Sequence, residues 1–424
     1  MLHSVLFFVA AAMGASGGAA SDPPTSRAAA SGREAAIEAV VAIEVRLAEG
    51  DRDRIVALGT GIVLEDGRTV VTCEHVVASF GEVTIRASRR EVAAIVVSRN
   101  SREDLALLRL ARWEERLPGA RLDPAFESSS RDAATGAPAT VVSFPRGGEK
   151  RVTEGRITAL HRQLAGEGIT YQFDDLLELD ISIDRGSSGG ALLGSGGDLI
   201  GLMNARYTSG ASSYAIPADR IVAFRRDVDR FGERQSAWLG FRLCPEKGDA
   251  RRIGSVVDRV FSRGPAAIAG LRRGDHLVAL DGRPTDHGGF VRHEQLAERD
   301  RPLRIDVRRG GGGLLTLSVV PRAWPSDLGT RLLAEAWGVT TQRRRFGGSI
   351  YEIVGVAKGS AAARAGLPIG VALRRVDGIP VESREALAVL LFRALHRRTL
   401  WLDIGSNEGG SRIELSRSCP DGRP

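Results

Sequence analysis

Asp184-Arg185-Gly186-Ser187-Ser188-Gly189-Gly190-Ala191-Leu192 is the stretch on which the reading of this chain turns. A serine that is to act as a nucleophile must be held open on a tight turn. Backbone N–H groups beside it must be able to stabilise an oxyanion, and flanking glycines permit that unusual backbone. Taken alone, Gly-Ser-Ser-Gly-Gly reads better as a flexible loop. Its weight comes from two segments upstream.

Val70-Val71-Thr72-Cys73-Glu74-His75-Val76-Val77 places a histidine at the end of an apolar strand. Arg102-Glu103-Asp104 then precedes the alternating run Leu105 to Leu110, a place suited to a partly buried carboxylate that orients an imidazole. His75, Asp104 and Ser188 follow the chymotrypsin chain order, and all three contexts match together.

These segments resemble the trypsin-like peptidases of the HtrA/Deg family, over most of residues 37 to 404. The match continues through Gly59-Thr60-Gly61-Ile62-Val63, Val152 to Ile157, Leu199-Ile200-Gly201-Leu202 and Tyr214-Ala215-Ile216-Pro217. The resemblance implies Ser188 as nucleophile, His75 as general base and then acid, and Asp104 as the group that fixes the histidine tautomer. It implies an oxyanion hole from the backbone N–H groups of Gly186 and Ser188. It also implies a primary pocket walled by Met203, Asn204, Ala205 and Arg206 that takes small or medium apolar side chains. The chain departs from the family pattern in having Cys73-Glu74 before the histidine and Ser187 before the nucleophile, where relatives carry asparagines. A differently held loop at Ser187 could leave the oxyanion hole unformed at rest.

The fold class expected is mainly β. From about Ile37 to Arg220, short β-branched runs alternate with Gly, Asp and Asn, as in a barrel or sandwich, and the resemblance makes this a chymotrypsin-like double β-barrel. The remainder contains an internal repeat. Ala266 to Leu271 followed by Leu277 to Pro284 recurs as Ala362 to Leu367 followed by Leu373 to Pro380, each copy reading as a short helix ended by Gly, a strand and an Asp-Gly turn. Both copies resemble PDZ domains, α+β units that hold a peptide C-terminus by β-augmentation. That resemblance gives Leu239, Gly240 and Phe241 as the carboxylate-binding loop of the first copy, opposite a helix near Glu294 to Arg299, and Trp337-Gly338-Val339 as a poorer match in the second.

The expected division is a signal peptide at 1–20, with its apolar run at Val5 to Ala12, and a flexible linker at 21–36. A protease-like unit at 37–232 follows, then PDZ-like units at 236–323 and 334–406 and a tail at 407–424. Trp324 to Leu333 is the expected joint between the two copies.

Composition narrows the alternatives. The net charge of +7 is carried by arginines scattered among acidic residues, without the basic block interleaved with aromatics that nucleic-acid binding favours. No run of about 18 apolar residues is present, so no integral membrane span is expected. Three distant cysteines, Cys73, Cys244 and Cys419, indicate neither a disulfide framework nor a metal site, and no cofactor is expected. The partners implied are unfolded polypeptides and peptide C-termini, with export to the periplasm or beyond. The resemblance points to a homo-trimer, although residues 33 to 50 lack the aromatics that relatives use to trimerise. The competing reading is a catalytically silent HtrA-like chaperone or a PDZ peptide-binding scaffold.

Overall fold

The structure is a computed structural model that describes residues 32–416, apart from 50–51, 79–80, 89, 101–102, 113, 121–133, 165–172, 207–211, 235–236, 247–248, 286–295, 311, 347–348, 382–383, 395–398 and 407–408. The expected signal segment lies outside these residues.

Two six-stranded antiparallel barrels come first. One is built from β1 (Val40–Glu49), β2 (Arg52–Val63), β3 (Thr69–Thr72), β4 (Glu82–Ala87), β5 (Arg90–Asn100) and β6 (Leu105–Leu110), closed in the order β1-β2-β3-β6-β5-β4. The other contains β7 (Pro138–Ser143), β8 (Arg151–Leu164), β9 (Phe173–Leu179), β10 (Ala191–Leu193), β11 (Leu199–Arg206) and β12 (Ser213–Pro217), closed as β10-β11-β12-β9-β8-β7. Closure removes exposed strand edges. Inward branched side chains such as Ile43, Ile62, Val71, Leu107, Val141, Leu192 and Ile216 form one core across both barrels. The arrangement is that of a chymotrypsin-like double barrel.

Helix α2 (Ala218–Phe231) lays Ile221, Phe224 and Val228 into that core. Their i, i+3, i+7 spacing puts them on one face. Gly232, at φ 80°, stops the helix in the left-handed conformation that glycine adopts without penalty.

The repeats fold as two further six-stranded sheets, β13 (Phe241–Glu246), β14 (Asp249–Val260), β15 (His276–Leu280), β16 (Arg283–Pro284), β17 (Leu303–Arg308) and β18 (Leu314–Val319), then β19 (Val339–Phe346), β20 (Ser349–Val356), β21 (Ala372–Val376), β22 (Ile379–Pro380), β23 (Thr399–Ser406) and β24 (Gly409–Ser416). Their equivalence reaches individual bonds. Asp281 and Asp377 both sit at positive φ, followed by Gly282 and Gly378 also at positive φ, the pattern of a type I′ hairpin turn. In each, the Asp side chain accepts a backbone N–H from the neighbouring strand, Arg304 at 2.8 Å and Trp401 at 2.9 Å. The short helices α3 (Pro265–Ile268) and α5 (Ala361–Arg364) occupy matching places. Both sheets with their helices fit PDZ-like units.

Three expected boundaries differ. Helix α1 spans residues 32–38 and so takes in residues 32–36 of the expected linker, with Ala36 buried and Arg33 reaching Thr140 and Glu154. Ala-rich composition suits a helix as well as a linker, and burial of Ala36 decides between them. The joint is largely helix α4 (Leu328–Trp337), which buries Leu328, Leu332, Leu333 and Trp337. The tail contributes β24, paired with β23 along its length. Between the repeats, Trp238, Phe261, Phe392 and Trp324 form a closed ring of aromatic contacts with centroids 5.3–6.3 Å apart. Phe392 lies on α6 (Arg384–Ala394), so the two units share a core through this ring.

Candidate functional site

The site lies where the loops of the two barrels meet. Strand β3 is fully buried and delivers the chain to a short 3-10 turn, Glu74–Val76, on which His75 sits. On the neighbouring strand β6, Asp104 occupies the turn before Leu105 at φ 52°, a left-handed conformation that Asp tolerates better than most residues. Asp104 is 2% exposed at its side chain and His75 39%. Oδ1 of Asp104 accepts the His75 backbone N–H at 2.9 Å, and Oδ2 lies 2.7 Å from His75 Nδ1. The carboxylate thus fixes both the backbone and the ring of the histidine.

Burial works against a charged His75 ring, but the charge and hydrogen bond of Asp104, with Glu74 adding to them, outweigh it and hold its pKa above the ordinary histidine value.

Ser188 stands on the turn leading into β10. Its hydroxyl donates to the Asn204 carbonyl at 3.0 Å. Ser187 faces the opposite way, buried and 3.1 Å from the Ser143 hydroxyl. Gly186 (φ 90°) and Gly189 (φ 85°) supply the backbone this turn needs; a Cβ at Gly186 would come within 2.6 Å of the Arg146 nitrogen.

The orientation of the Arg185–Gly186 peptide can be read from its carbonyl. Arg185 C=O accepts the Arg146 N–H at 2.6 Å. In a planar trans peptide the C=O and the following N–H point in opposite directions, so the Gly186 N–H is turned away from Arg146. Thr60 pins the same turn: its Oγ1 donates to Gly186 C=O at 2.7 Å, and its N–H donates to Ser188 C=O at 2.8 Å.

Strand β11 requires a correction to the expected pocket wall. A register shift between Met203 and Ala205 marks a β-bulge, which breaks the alternation of side chains and turns Asn204 inward. Asn204 Nδ2 donates to Asp104 Oδ2 at 2.5 Å, so this side chain supports the acid and does not line a pocket. Met203 is fully buried, and its carbonyl accepts from Gly189 N–H (2.7 Å) and from the Cys73 thiol (3.3 Å). The side chains of Ala205 and Arg206 lie outside the described residues. Cys73 Sγ, a ring nitrogen of His75 and an Asp104 oxygen lie within 4.8 Å of one another, the one such metal-ligand grouping among the described residues. Burial, with Asp104 next to it, pushes the Cys73 thiol well above its ordinary pKa.

In the first repeat, Leu239 C=O accepts from Ala266 N–H (3.0 Å) and Gly240 C=O from Phe261 N–H (2.9 Å). By the same peptide geometry, the Gly240 N–H is turned away from Ala266 and the Phe241 N–H away from Phe261. The side chains of Leu239 and Phe241 pack into the core of the unit. Of the helix expected near Glu294 to Arg299, Glu294 and Gln295 lie outside the described residues, and Ala297, Glu298 and Arg299 are not helical. In the second repeat Gly338 takes the matching conformation (φ 76°), and its carbonyl accepts from Ala357 N–H at 2.8 Å.

Residues 59–202 match the family model described as a trypsin-like peptidase domain. The chain is 27% identical over 325 residues to a DegP-like protein of Pseudomonas fluorescens named as a periplasmic serine endoprotease, covering 73% of this chain and 65% of that protein. HhoA of Synechocystis sp., named as a serine protease, is 30% identical over 276 residues, covering 61% of this chain and 68% of HhoA. The chain therefore spans about two thirds of the length of these relatives. Among solved structures, an HtrA-type protease, AlgW, with a bound tripeptide superimposes with a TM-score of 0.50 at 25% identity, over 70% of this chain and 97% of that one.

Proposed function

This chain belongs to the HtrA/Deg-like trypsin-type serine proteases, and we propose that it is an exported serine endopeptidase that cleaves unfolded or misfolded polypeptides through an acyl-enzyme. The observation that carries this reading is the assembled His75–Asp104 pair beside a Ser188 turn whose Arg185 C=O is held by Arg146 N–H.

The reaction starts when the Ser188 hydroxyl turns from the Asn204 carbonyl toward the imidazole. His75 Nε2 takes the hydroxyl proton as Oγ bonds to the scissile carbonyl carbon. The carbonyl electron pair moves onto its oxygen, where the N–H groups of Gly186 and Ser188 stabilise it. His75 then protonates the leaving amine, the C–N bond breaks, and water repeats the sequence on the ester. Asp104 keeps the histidine proton on Nδ1 throughout, so that Nε2 is free to accept.

In this reading the catalytic unit covers residues 37–232 with α1 attached, and the PDZ-like units cover 236–323 and 334–406 with β24 completing the second. They bind peptide C-termini or regulate activity, the first through the backbone of Leu239, Gly240 and Phe241. The periplasm is the compartment named for the Pseudomonas relative and the one proposed here. A homo-trimer is the proposed assembly. Among the described residues no helix is long and apolar enough to cross a membrane.

The deciding experiment is digestion of casein with and without a serine-directed fluorophosphonate, with cleavage sites mapped by mass spectrometry. Inhibitor-sensitive cuts after small or medium apolar residues are expected. Neither cleavage nor labelling of Ser188 would leave the silent chaperone or scaffold as the better reading.

A further inference from the structure

Three charged side chains meet in the interior immediately behind the catalytic acid. Arg234 lies in the segment that joins α2 to the first PDZ-like unit. Its Nε stands 3.1 and 3.2 Å from the two oxygens of Glu103, and its Nη1 bonds Asp227 on α2. The side chains of Arg234, Glu103 and Asp227 are 3%, 2% and 6% exposed. Burying three ions is expensive, and replacing such a cluster by apolar groups commonly costs no stability, so its presence points to a role in holding geometry.

We propose that Arg234 is a positioning residue for the catalytic acid: by clamping Glu103 it fixes the turn that carries Asp104, and it ties that turn to the first PDZ-like unit. The inference rests on the protease reading above. Glu103 directly precedes Asp104, which is held in a left-handed conformation that its surroundings must enforce. The turn is pinned from three sides. Glu103 N–H donates to Asn100 Oδ1 at 3.1 Å, Asp104 C=O accepts from Glu74 N–H at 3.1 Å, and Arg234 holds the Glu103 side chain. The tie outward continues through Arg226, which bonds Asp227 at 3.2 Å and Glu298 of the first PDZ-like unit at 2.9 Å. A chain of opposite charges therefore runs from Glu298 through Arg226, Asp227 and Arg234 to Glu103, one residue from the triad. Spatial continuity is not itself coupling, so the coupling has to be measured.

The test uses the full chain and begins with the wild-type protein, whose fluorophosphonate labelling and hydrolysis of a short apolar chromogenic peptide establish activity. If these fail, the protease reading has failed and not this one. The variants are Arg234→Gln, Arg234→Lys and the apolar double replacement Arg234→Met with Glu103→Leu, each measured for Tm, kcat, KM and the pH profile of kcat. Arg234→Gln is expected to lower kcat by about 10–100-fold, the order of loss for a misplacement near 1 Å, with KM little changed and the acid limb of the profile displaced. The apolar double variant is expected to regain Tm without regaining kcat. If Arg234→Gln does not fold, Arg234→Lys serves in its place, since it keeps the charge but loses the two-pronged grip, and a drop in kcat at unchanged KM is expected. Recovery of kcat along with Tm in the double variant would reduce Arg234 to a structural role and overturn the proposal, as would a wild-type kcat and pH profile in the folded single variants. For the tie to the PDZ-like unit, Glu298→Gln should alter kcat in the wild-type background and have no further effect beside Arg234→Gln. Equal effects in both backgrounds would refute it.

Discussion

Asp104→Asn is nearly isosteric, yet the hydrogen bonds around this position make it a trap for the wrong histidine tautomer. Three donors converge on the carboxylate: the His75 backbone N–H on Oδ1, and His75 Nδ1 and Asn204 Nδ2 on Oδ2. An asparagine has one oxygen to offer. With that oxygen in the Oδ2 place, its NH2 opposes the His75 backbone N–H, and an unsatisfied buried donor costs about 1–3 kcal/mol. With the oxygen in the Oδ1 place, the NH2 faces both His75 Nδ1 and Asn204. Asn204 Oδ1 is buried without a partner, so a flip of that amide presents an acceptor to the new NH2, which is then matched provided that His75 Nδ1 also accepts. The proton then sits on Nε2, where Ser188 needs a base. The fold should survive while turnover falls by up to about 10⁴, as the general triad template gives. The pKa moves as well. Burial alone lowers a histidine pKa, so without Asp104 the His75 value should drop from above to below the ordinary value of about 6.5. In the wild-type protein the raised pKa means that this interaction stabilises the fold fully below pH of about 6.5, and the contribution is lost as pH rises through the folded value. The Tm difference between wild type and variant should therefore narrow with rising pH. Nitrogen-resolved NMR of His75 reads tautomer and pKa directly. A His75 pKa still above the ordinary value in the variant, or full turnover, would refute the reasoning.

Ser188→Ala should abolish fluorophosphonate labelling, whereas Ser187→Ala should leave measurable activity because Ser187 faces Ser143; an adduct on Ser187 would reverse the assignment. Gly189→Ala should prevent acylation, since the added Cβ would overlap the Thr60 carbonyl oxygen at a φ of 85°, and normal labelling would contradict this. Trp238→Ala removes one member of the aromatic ring between the repeats and should cost about 3–5 kcal/mol by urea titration, with both PDZ-like units loosening together; a loss confined to one unit would show that the ring is no shared core.

Much of this arrangement was legible because the decisive signals are short in sequence. A glycine on each side of Ser188 and a histidine at the end of a buried strand are local requirements, and the repeat declares itself through turn residues whose φ angles only a few residue types adopt. Strands β5 and β9 lacked such punctuation, and β9 has Asp174 and Asp175 inside it. The direction of Asn204 was hidden for a different reason. A period of two assigns faces only while register holds, and the bulge at that residue reverses the expectation. The Arg234–Glu103 pair joins positions 131 apart, with no local pattern marking either residue.

The departure at Ser187 also has a physical answer. If the residue before the nucleophile were what held the oxyanion turn, a serine there would leave the turn loose. The bonds lie elsewhere. Arg146 N–H holds Arg185 C=O, Thr60 Oγ1 holds Gly186 C=O, Thr60 N–H holds Ser188 C=O, and Met203 C=O receives Gly189 N–H. Three peptides of the turn, 185–186, 186–187 and 188–189, are fixed by groups from β2, the loop after β7 and β11, and none of these bonds uses the side chain at 187. Thr60 is itself set in place, since its hydroxyl accepts the Phe144 N–H at 3.0 Å and its carbonyl accepts the Thr72 hydroxyl at 2.7 Å. Both barrels therefore hold the turn, which explains why it does not depend on the side chain that departs from the pattern at Ser187.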